Sequence, residues 1–249
     1  MDKWFEPKFE KNYRKYSLKQ LNGGFSLDKF LRKFSVTGWL IIINIVVFIL
    51  VSLIIAVTGN PERVYSYIAL QASGFFAGSF WTLITSMFMH GSFTHLLVNM
   101  ISLFFIGSFV EKLIGRKRFF WFYIISGIIA GLAFVFLAYF FGNTDFGARI
   151  FGSPEIFAVG ASGAIFGLGG LLAVLTPKLR VYVFFIIPMQ MWFAMVVLLF
   201  VLWAASIGAG LPFGNTAHFG GLLAGVIYAI YLKTKYKRKT QLIAKYFSG

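Results

Sequence analysis

The feature that most constrains this chain is a series of long apolar runs separated by short polar or glycine-rich loops. A helix needs about 20 mostly apolar residues to cross roughly 30 Å of hydrocarbon. Apolar residues make up 59% of the 249 positions and charged residues only 12%, which excludes an ordinary soluble domain. The sequence therefore predicts an all-α, polytopic membrane protein with six spans, at residues 37–57, 95–112, 119–141, 158–176, 181–207 and 217–233.

The basic residues lie in the tails and in alternate loops. Lys and Arg in short flanking loops stay on the cytoplasmic side of a membrane. If both termini are cytoplasmic, only Arg63 and Arg149 of the 23 Lys and Arg residues fall on the other side. We therefore predict two cytoplasmic termini, with a basic segment at residues 1–36, a six-helix domain at 37–233 and a basic tail at 234–249.

The formal charge of +15 does not indicate a nucleic-acid partner, because the basic residues are not clustered on a polar, soluble domain. Basic tails of this kind can bind anionic lipid headgroups. The chain has no cysteine, which excludes disulfides, thiolate metal sites and cysteine nucleophiles.

Polar side chains occur at matched depth on three of the predicted helices. Counted along each helix, Asn99, Ser162 and His218 all lie about 20 Å from the predicted inner end. His95 precedes Asn99 by four residues and projects from the same helix face. An unpaired polar group in hydrocarbon is costly, so four groups at one level indicate a functional site. The simpler alternative to a functional site is that these side chains only hydrogen bond the helices to one another.

These residue types suit acyl transfer. A serine becomes a nucleophile when a neutral imidazole accepts its proton, and Ser162 and His218 supply that pair. No acidic residue lies within the predicted membrane interior near them, so we expect a dyad rather than a triad. Asn99 and His95 are candidate donors to the oxyanion of the tetrahedral intermediate. We predict neither a cofactor nor a metal ion.

Glycines flank the candidate nucleophile. Gly160 and Gly163 lie on either side of Ala161 and Ser162. Glycine permits unusual backbone dihedrals, and we expect these two positions to leave room for a substrate backbone.

Four sequence motifs carry a family resemblance: HGSFTHLLVNM from residue 90, EKLIGRKRFFWFY from residue 111, GASG from residue 160 and AHFGGLLAG from residue 217. In combination they resemble the rhomboid family of intramembrane serine proteases. The resemblance covers about residues 37–233. It implies a six-helix bundle whose substrates are transmembrane helices of other proteins, cut near the extracytoplasmic membrane boundary.

The resemblance also implies a role for each site residue. Ser162 would be the nucleophile and His218 the general base, later the acid for the leaving amine. His95 and Asn99 would complete the oxyanion hole with the Ser162 N–H. His90 would be a structural residue of the outer loop.

Two further motif positions concern helix packing, and two positions outside the motifs depart from the family pattern. Gly221 and Gly225 would allow the sixth helix to pack closely against the fourth. Rhomboids commonly carry Trp-Arg in the first outer loop, where this chain has Trp81 and Thr82. Many bacterial members carry a tyrosine four residues after the serine, where this chain has Phe166, which keeps an aromatic face for the imidazole.

Two other functions fit parts of the pattern. The first is a proteolytically inactive rhomboid-like protein that binds unstable membrane helices. The second is a transporter or metal site built from the three histidines, for which the membrane interior offers few carboxylates. A soluble esterase is excluded because Ala164 replaces the second glycine of G-x-S-x-G. We expect the plasma membrane of a bacterium or archaeon, with the site open to the extracytoplasmic side.

Overall fold

The computed structural model describes residues 34–183, 186–209 and 214–247, and most of these residues are helical. The predicted basic segment 1–36 lies almost entirely outside the described residues. The described helices are α1 (Val36–Thr58), α2 (Pro61–Ile68), α3 (Ala72–Phe76), α4 (Thr82–Thr85), α5 (Phe93–Ile114), α6 (Arg116–Phe141), α7 (Asp145–Phe151), α8 (Ser162–Leu175), α9 (Met191–Ala209), α10 (Asn215–Lys235) and α11 (Lys237–Tyr246).

Five of these helices are long and apolar enough to cross a membrane, namely α1, α5, α6, α9 and α10. They correspond to five of the six predicted spans. The fourth predicted span, 158–176, is too long, because α8 has only 14 residues. At 1.5 Å per residue it extends about 21 Å, which is less than the hydrocarbon thickness. The six-span count and the orientation of the termini stay predictions.

The start of α8 explains its shortness. Ala158 exchanges backbone hydrogen bonds with Leu70 of the loop before α3, so the chain is extended there. Gly160 then adopts φ 121°, which ends any helical path from the preceding segment. The helix begins two residues later, at Ser162.

The predicted span 181–207 is wrong at its beginning. Residues Arg180–Val183 form strand β1, which pairs antiparallel with β2, Ile187–Gln190. Val181, Tyr182 and Val183 favour a strand because their side chains fit a pleated surface, and Pro188 lacks the N–H that a helix interior needs. The chain therefore contains a hairpin that an all-α prediction leaves out, and α9 begins only at Met191.

The central element is α8, whose side chains are buried over most of its length between α5, α6, α9 and α10. The contact with α10 is a backbone contact. A Cβ atom on Gly221 would collide with the carbonyl oxygen of Gly163, and one on Gly225 with that of Gly167. The predicted close packing of these two helices through Gly221 and Gly225 is confirmed.

Glu111, near the end of α5, holds the beginning of α1. One carboxylate oxygen accepts the Val36 N–H at 2.9 Å, and the other accepts the Thr37 N–H at 2.8 Å and the Thr37 hydroxyl at 2.7 Å. Arg116 lies 3.5 Å from the first oxygen. The buried carboxylate therefore satisfies two of the backbone donors that a helix start leaves unpaired.

The predicted basic tail, 234–249, is not simply an extension of the last span. It contains the end of α10 and the separate helix α11. Thr240 is buried, and the ring of Phe247 contacts Phe109 of α5 edge to face.

Candidate active site

The site lies where the first turns of α8 and α10 meet. Ser162 is the first residue of α8, and His218 lies in the first turn of α10. The Ser162 Oγ and the His218 Nε2 are 2.8 Å apart, a hydrogen-bonding distance. When the imidazole proton is on Nδ1, the Nε2 lone pair can accept the serine proton. The two residues are thus in the arrangement that an activated serine needs.

The other ring nitrogen of His218 has no carboxylate partner among the described residues. His218 Nδ1 is buried, and within the described residues no side chain or backbone group hydrogen bonds to it. The pair therefore lacks the third, orienting group of a triad in this part of the chain.

Phe166 orients the His218 ring by packing against it, which a hydrogen-bonding third group would do in a triad. Its ring stacks on the His218 imidazole, with centroids 4.5 Å apart and planes inclined by 17°. Phe166 is one helical turn after Ser162, so both project from the same face of α8. The departure from tyrosine at this position keeps the aromatic face and loses only the hydroxyl.

His95 and Asn99 lie beside Gly160, two residues before Ser162. A Cβ on Gly160 would lie 2.8 Å from His95 Nε2 and 3.7 Å from Asn99 Nδ2. The Asn99 amide donates one hydrogen bond to the His95 carbonyl at 3.0 Å, which leaves its second N–H free to donate elsewhere. Both side chains thus lie close to the segment that leads into α8.

Only one of the two flanking glycines has the unusual backbone dihedral that we expected of both. Gly160 has the unusual dihedral that we predicted, but the space beside it holds the His95 ring rather than open room. Gly163 faces the Cβ of Ala130 on α6, so it serves helix packing. The expectation that these glycines leave room for a substrate backbone stays a prediction.

His90 is buried behind His95. Its ring meets the His95 ring edge to face, with centroids 5.0 Å apart. Burial and, to a smaller extent, the neighbouring His95 lower the pKa of His90 to about 4. His90 thus stays neutral near pH 7 and acts as a packing support for His95.

The loop before α5 has Thr82 in place of the arginine of the Trp-Arg pair that rhomboids commonly carry. Three hydrogen bonds hold this loop. The Trp81 indole N–H donates to the Tyr67 carbonyl at 2.9 Å, and the Thr82 hydroxyl donates to the Ser79 carbonyl at 2.6 Å. The Thr85 hydroxyl donates to the Ile68 carbonyl at 2.7 Å. These three bonds brace the segment that Thr82 begins.

The three histidines do not form a metal centre. Within the residues that the structure describes, no three His, Asp or Glu side chains are grouped as ligands for a metal ion. His218 is hydrogen bonded to Ser162, while His90 packs against His95.

One hydrogen bond that supports the site could not be predicted from the sequence. The Ser86 carbonyl accepts the Gly160 N–H at 2.9 Å and so fixes the extended segment that leads into Ser162. A backbone carbonyl carries no residue preference, and residue 86 lies far from 160 in the sequence. Only the folded chain reveals this support.

Comparison with known proteins gives a consistent family. The rhomboid domain family matches residues 77–235, more than half of the chain. "RHOMBOID-like protein 5" of Arabidopsis thaliana is 34% identical over 64% of this chain and 47% of its own. "Rhomboid protein 1, mitochondrial" of Saccharomyces cerevisiae is 30% identical over 64% and 44%. "Rhomboid protease GluP" of Bacillus subtilis is 30% identical over 70% and 30%.

These relatives limit what similarity implies. The chain spans less than half the length of each of the three. They come from a plant, a yeast mitochondrion and a bacterium, so they do not support the expected bacterial or archaeal origin over another source. The apolar helices, the family match and the shared motifs agree on the coarser assignment: this chain is an integral membrane protein that belongs to the rhomboid family.

Proposed function

We propose that this chain is an intramembrane serine endopeptidase. It hydrolyses peptide bonds in or near transmembrane helices of other membrane proteins. The observation that carries the proposal is the 2.8 Å approach of Ser162 Oγ to His218 Nε2. A relative named as a protease, GluP of Bacillus subtilis, supports the same reaction class.

The reaction follows from the atoms at the site. As Ser162 Oγ bonds to the scissile carbonyl carbon, its proton moves to His218 Nε2. The carbonyl oxygen gains negative charge, for which the Ser162 N–H, His95 and Asn99 are the proposed donors. The imidazolium gives its proton to the leaving amine, and the C–N bond breaks to form an acyl-enzyme. Water then attacks the ester carbonyl carbon as His218 Nε2 takes its proton. The bond from that carbon to Ser162 Oγ breaks, His218 returns the proton to Oγ, and the acid product leaves.

The helix arrangement supports a site that water can reach from one end only. Ser162 and His218 both lie at the beginnings of their helices, while the basic residues of α6 and α10 cluster at the opposite end. By the positive-inside rule, the basic end is cytoplasmic and the site opens to the extracytoplasmic side. We propose six membrane segments, of which α8 is the short and buried one.

A cleavage assay tests the proposal. The purified chain is reconstituted in vesicles with a fluorescent transmembrane substrate, and the products are identified by mass spectrometry. We expect the parent to cut, Ser162→Ala and His218→Ala to be inactive, and the exposed Ser66→Ala to cut like the parent. A chelator should have no effect. Binding of the substrate without cleavage by the parent would favour an inactive rhomboid-like protein, and equal cleavage by Ser162→Ala would exclude the dyad.

The oxyanion donors are tested by one further variant. We expect Asn99→Ala to cut about 10²-fold more slowly than the parent, because it removes one donor to the developing charge. Its thermal unfolding should resemble that of the parent. An unchanged rate would show that the donors lie elsewhere.

A further inference from the structure

A long groove lies between α6 and α10 and reaches the end of the molecule opposite to Ser162. Its volume is about 1000 Å³. Along α10 its lining runs from Leu223 to Tyr231, about 7 to 20 Å beyond His218. None of the candidate site residues lines the groove, and nothing in the proposed reaction uses it.

Small residues lie between α6 and α10 at one end of their contact, and aromatic residues lie between them at the other. A Cβ on Gly220 would collide with Ala133 and lie 3.3 Å from the Ala130 backbone, so small residues allow the helices to meet there. Toward the other end, the rings of Phe122 and Tyr228 stack between them at 4.7 Å. Two aromatic side chains hold the helices apart where small ones would let them close.

The walls of the groove are apolar and face outward. Trp121, Ile125 and Ile129 line it from α6, and Leu223, Ile227 and Tyr231 line it from α10. All six are between 40% and 59% exposed, although they lie in the spans. From Arg118 to Ile129 the wall of α6 is about 16 Å long. A feature of this length and polarity suits a hydrocarbon chain lying parallel to the helices.

The mouth of the groove is basic. Arg116, Lys117 and Arg118 line it in the first turn of α6, and none of its lining residues is acidic in the described part of the chain. Arg116 also contacts Glu111 at 3.5 Å, and the Arg118 guanidinium lies 6.0 Å from the centroid of the Tyr236 ring. Lys235 lies nearby, with its ammonium 2.8 Å from the Tyr231 hydroxyl.

We propose that this groove binds one anionic phospholipid, with an acyl chain between α6 and α10 and the phosphate at Lys117 and Arg118. An acyl chain gains little by leaving other lipid tails for apolar side chains, because both surroundings are equally apolar. Selectivity therefore comes from the headgroup, and basic residues between helices at the membrane boundary favour negative charge. Among lipids with identical tails, the groove selects those whose headgroup is anionic.

Native mass spectrometry of the full-length protein tests this site. The protein in detergent is mixed with phosphatidylglycerol and phosphatidylcholine of the same chain length in equal amounts. We expect the parent to retain one phosphatidylglycerol in preference to phosphatidylcholine. Lys117→Gln combined with Arg118→Gln should reduce that preference, by about fivefold for each charge removed. Lys178→Gln with Arg180→Gln removes the same charge near the same end but outside the groove, and should keep the preference.

A second pair of variants tests the apolar part of the groove. Ile227→Trp fills it, whereas Ile230→Trp adds the same bulk to a residue of α10 that is exposed but does not line the groove. Only the first should lose the bound lipid, and both should unfold at the parent temperature. Equal retention of the two lipids by the parent would overturn the proposal. So would equal losses in the groove variants and their controls, since that outcome indicates general attraction to a basic surface.

Discussion

The imidazole of His218 lies flat on the phenyl ring of Phe166, with ring centroids 4.5 Å apart. Because His218 Nδ1 has no hydrogen-bond partner among the described residues, this stacking is the contact that sets the plane of the ring. The plane in turn directs Nε2 at the Ser162 hydroxyl. An aromatic side chain thus performs by packing the orientation that a carboxylate performs in a triad.

The first prediction concerns this stack. Phe166→Ala removes the surface on which the imidazole rests, and small misplacements of reacting groups are costly, so we expect cleavage to slow by roughly tenfold or more. Phe166→Tyr keeps the ring and should cut at nearly the parent rate. The measurement is the single-turnover rate in vesicles. Full activity of Phe166→Ala would mean that the helix backbone alone orients His218.

The second prediction concerns the contact between α8 and α10. Gly221→Ala places a methyl group against the Gly163 carbonyl oxygen, and we expect the helices to separate, with a loss of about 1–3 kcal/mol in stability. Cleavage should fall as well, because Gly163 adjoins Ser162 and Gly221 follows His218 by three residues. Thermal unfolding in detergent and the cleavage rate are the measurements.

Gly208→Ala is the matched control for this contact, because a methyl group there meets no atom within 4 Å. It should leave both the unfolding temperature and the cleavage rate near the parent values. If Gly221→Ala were equally harmless, the backbone contact between α8 and α10 would not be what brings the dyad together.

The arrangement of the site was largely predictable, because it depends on helical rise and sequence motifs. Counting 1.5 Å per residue puts Asn99, Ser162 and His218 at one level, and in the structure Ser162 meets His218 while Asn99 lies near Gly160. Depth along a helix is a local quantity. It follows from the sequence of each helix without knowledge of how the helices pack.

The errors arise where hydropathy is a poor guide to the backbone. Residues 181–183 are as apolar as a span, yet their β-branched and aromatic side chains form a strand. The start of α8 depends on the positive φ of Gly160, which an average over a window of residues does not register. The contact of Glu111 with α1 joins residues more than 70 positions apart, and only packing brings them together.

The third prediction concerns Glu111. In Glu111→Gln an amide N–H₂ replaces one carboxylate oxygen, so a buried backbone N–H of α1 loses its acceptor. We expect the free energy of unfolding to fall by about 3 kcal/mol. Arg116 is about half exposed, so the loss of its ion pair with Glu111 adds little to this change. The exposed Glu62→Gln, in the first turn of α2, should change stability by less than about 0.5 kcal/mol. Equal effects of the two variants would contradict the capping role.

The fourth prediction concerns pH. The pKa of His90 is lowered to about 4 in the folded chain, so the unfolded chain binds a proton at higher pH than the folded one. The stability that this difference provides is present above pH 6.5 and is lost as the pH falls toward 4. Its full size is on the order of 3 kcal/mol. We expect the unfolding temperature of the parent to drop over this range, and that of His90→Gln to drop less. Parallel pH profiles for the two proteins would contradict the assignment.

The fifth prediction separates backbone strain from damage to the site. Gly160 and Gly78 both have positive φ, at 121° and 107°, so alanine at either position costs about 1–2 kcal/mol of strain. Only at Gly160 does the new methyl group meet a neighbour, since it would lie 2.8 Å from His95 Nε2, whereas at Gly78 it meets open space. Gly78→Ala therefore measures the effect of backbone strain alone, and Gly160→Ala should unfold at a lower temperature because it also displaces the His95 ring. Gly160→Ala should cut about 10²-fold more slowly than Gly78→Ala, because displacing His95 disturbs the proposed oxyanion donors. Similar cleavage rates for the two variants would show that His95 does not act in the reaction.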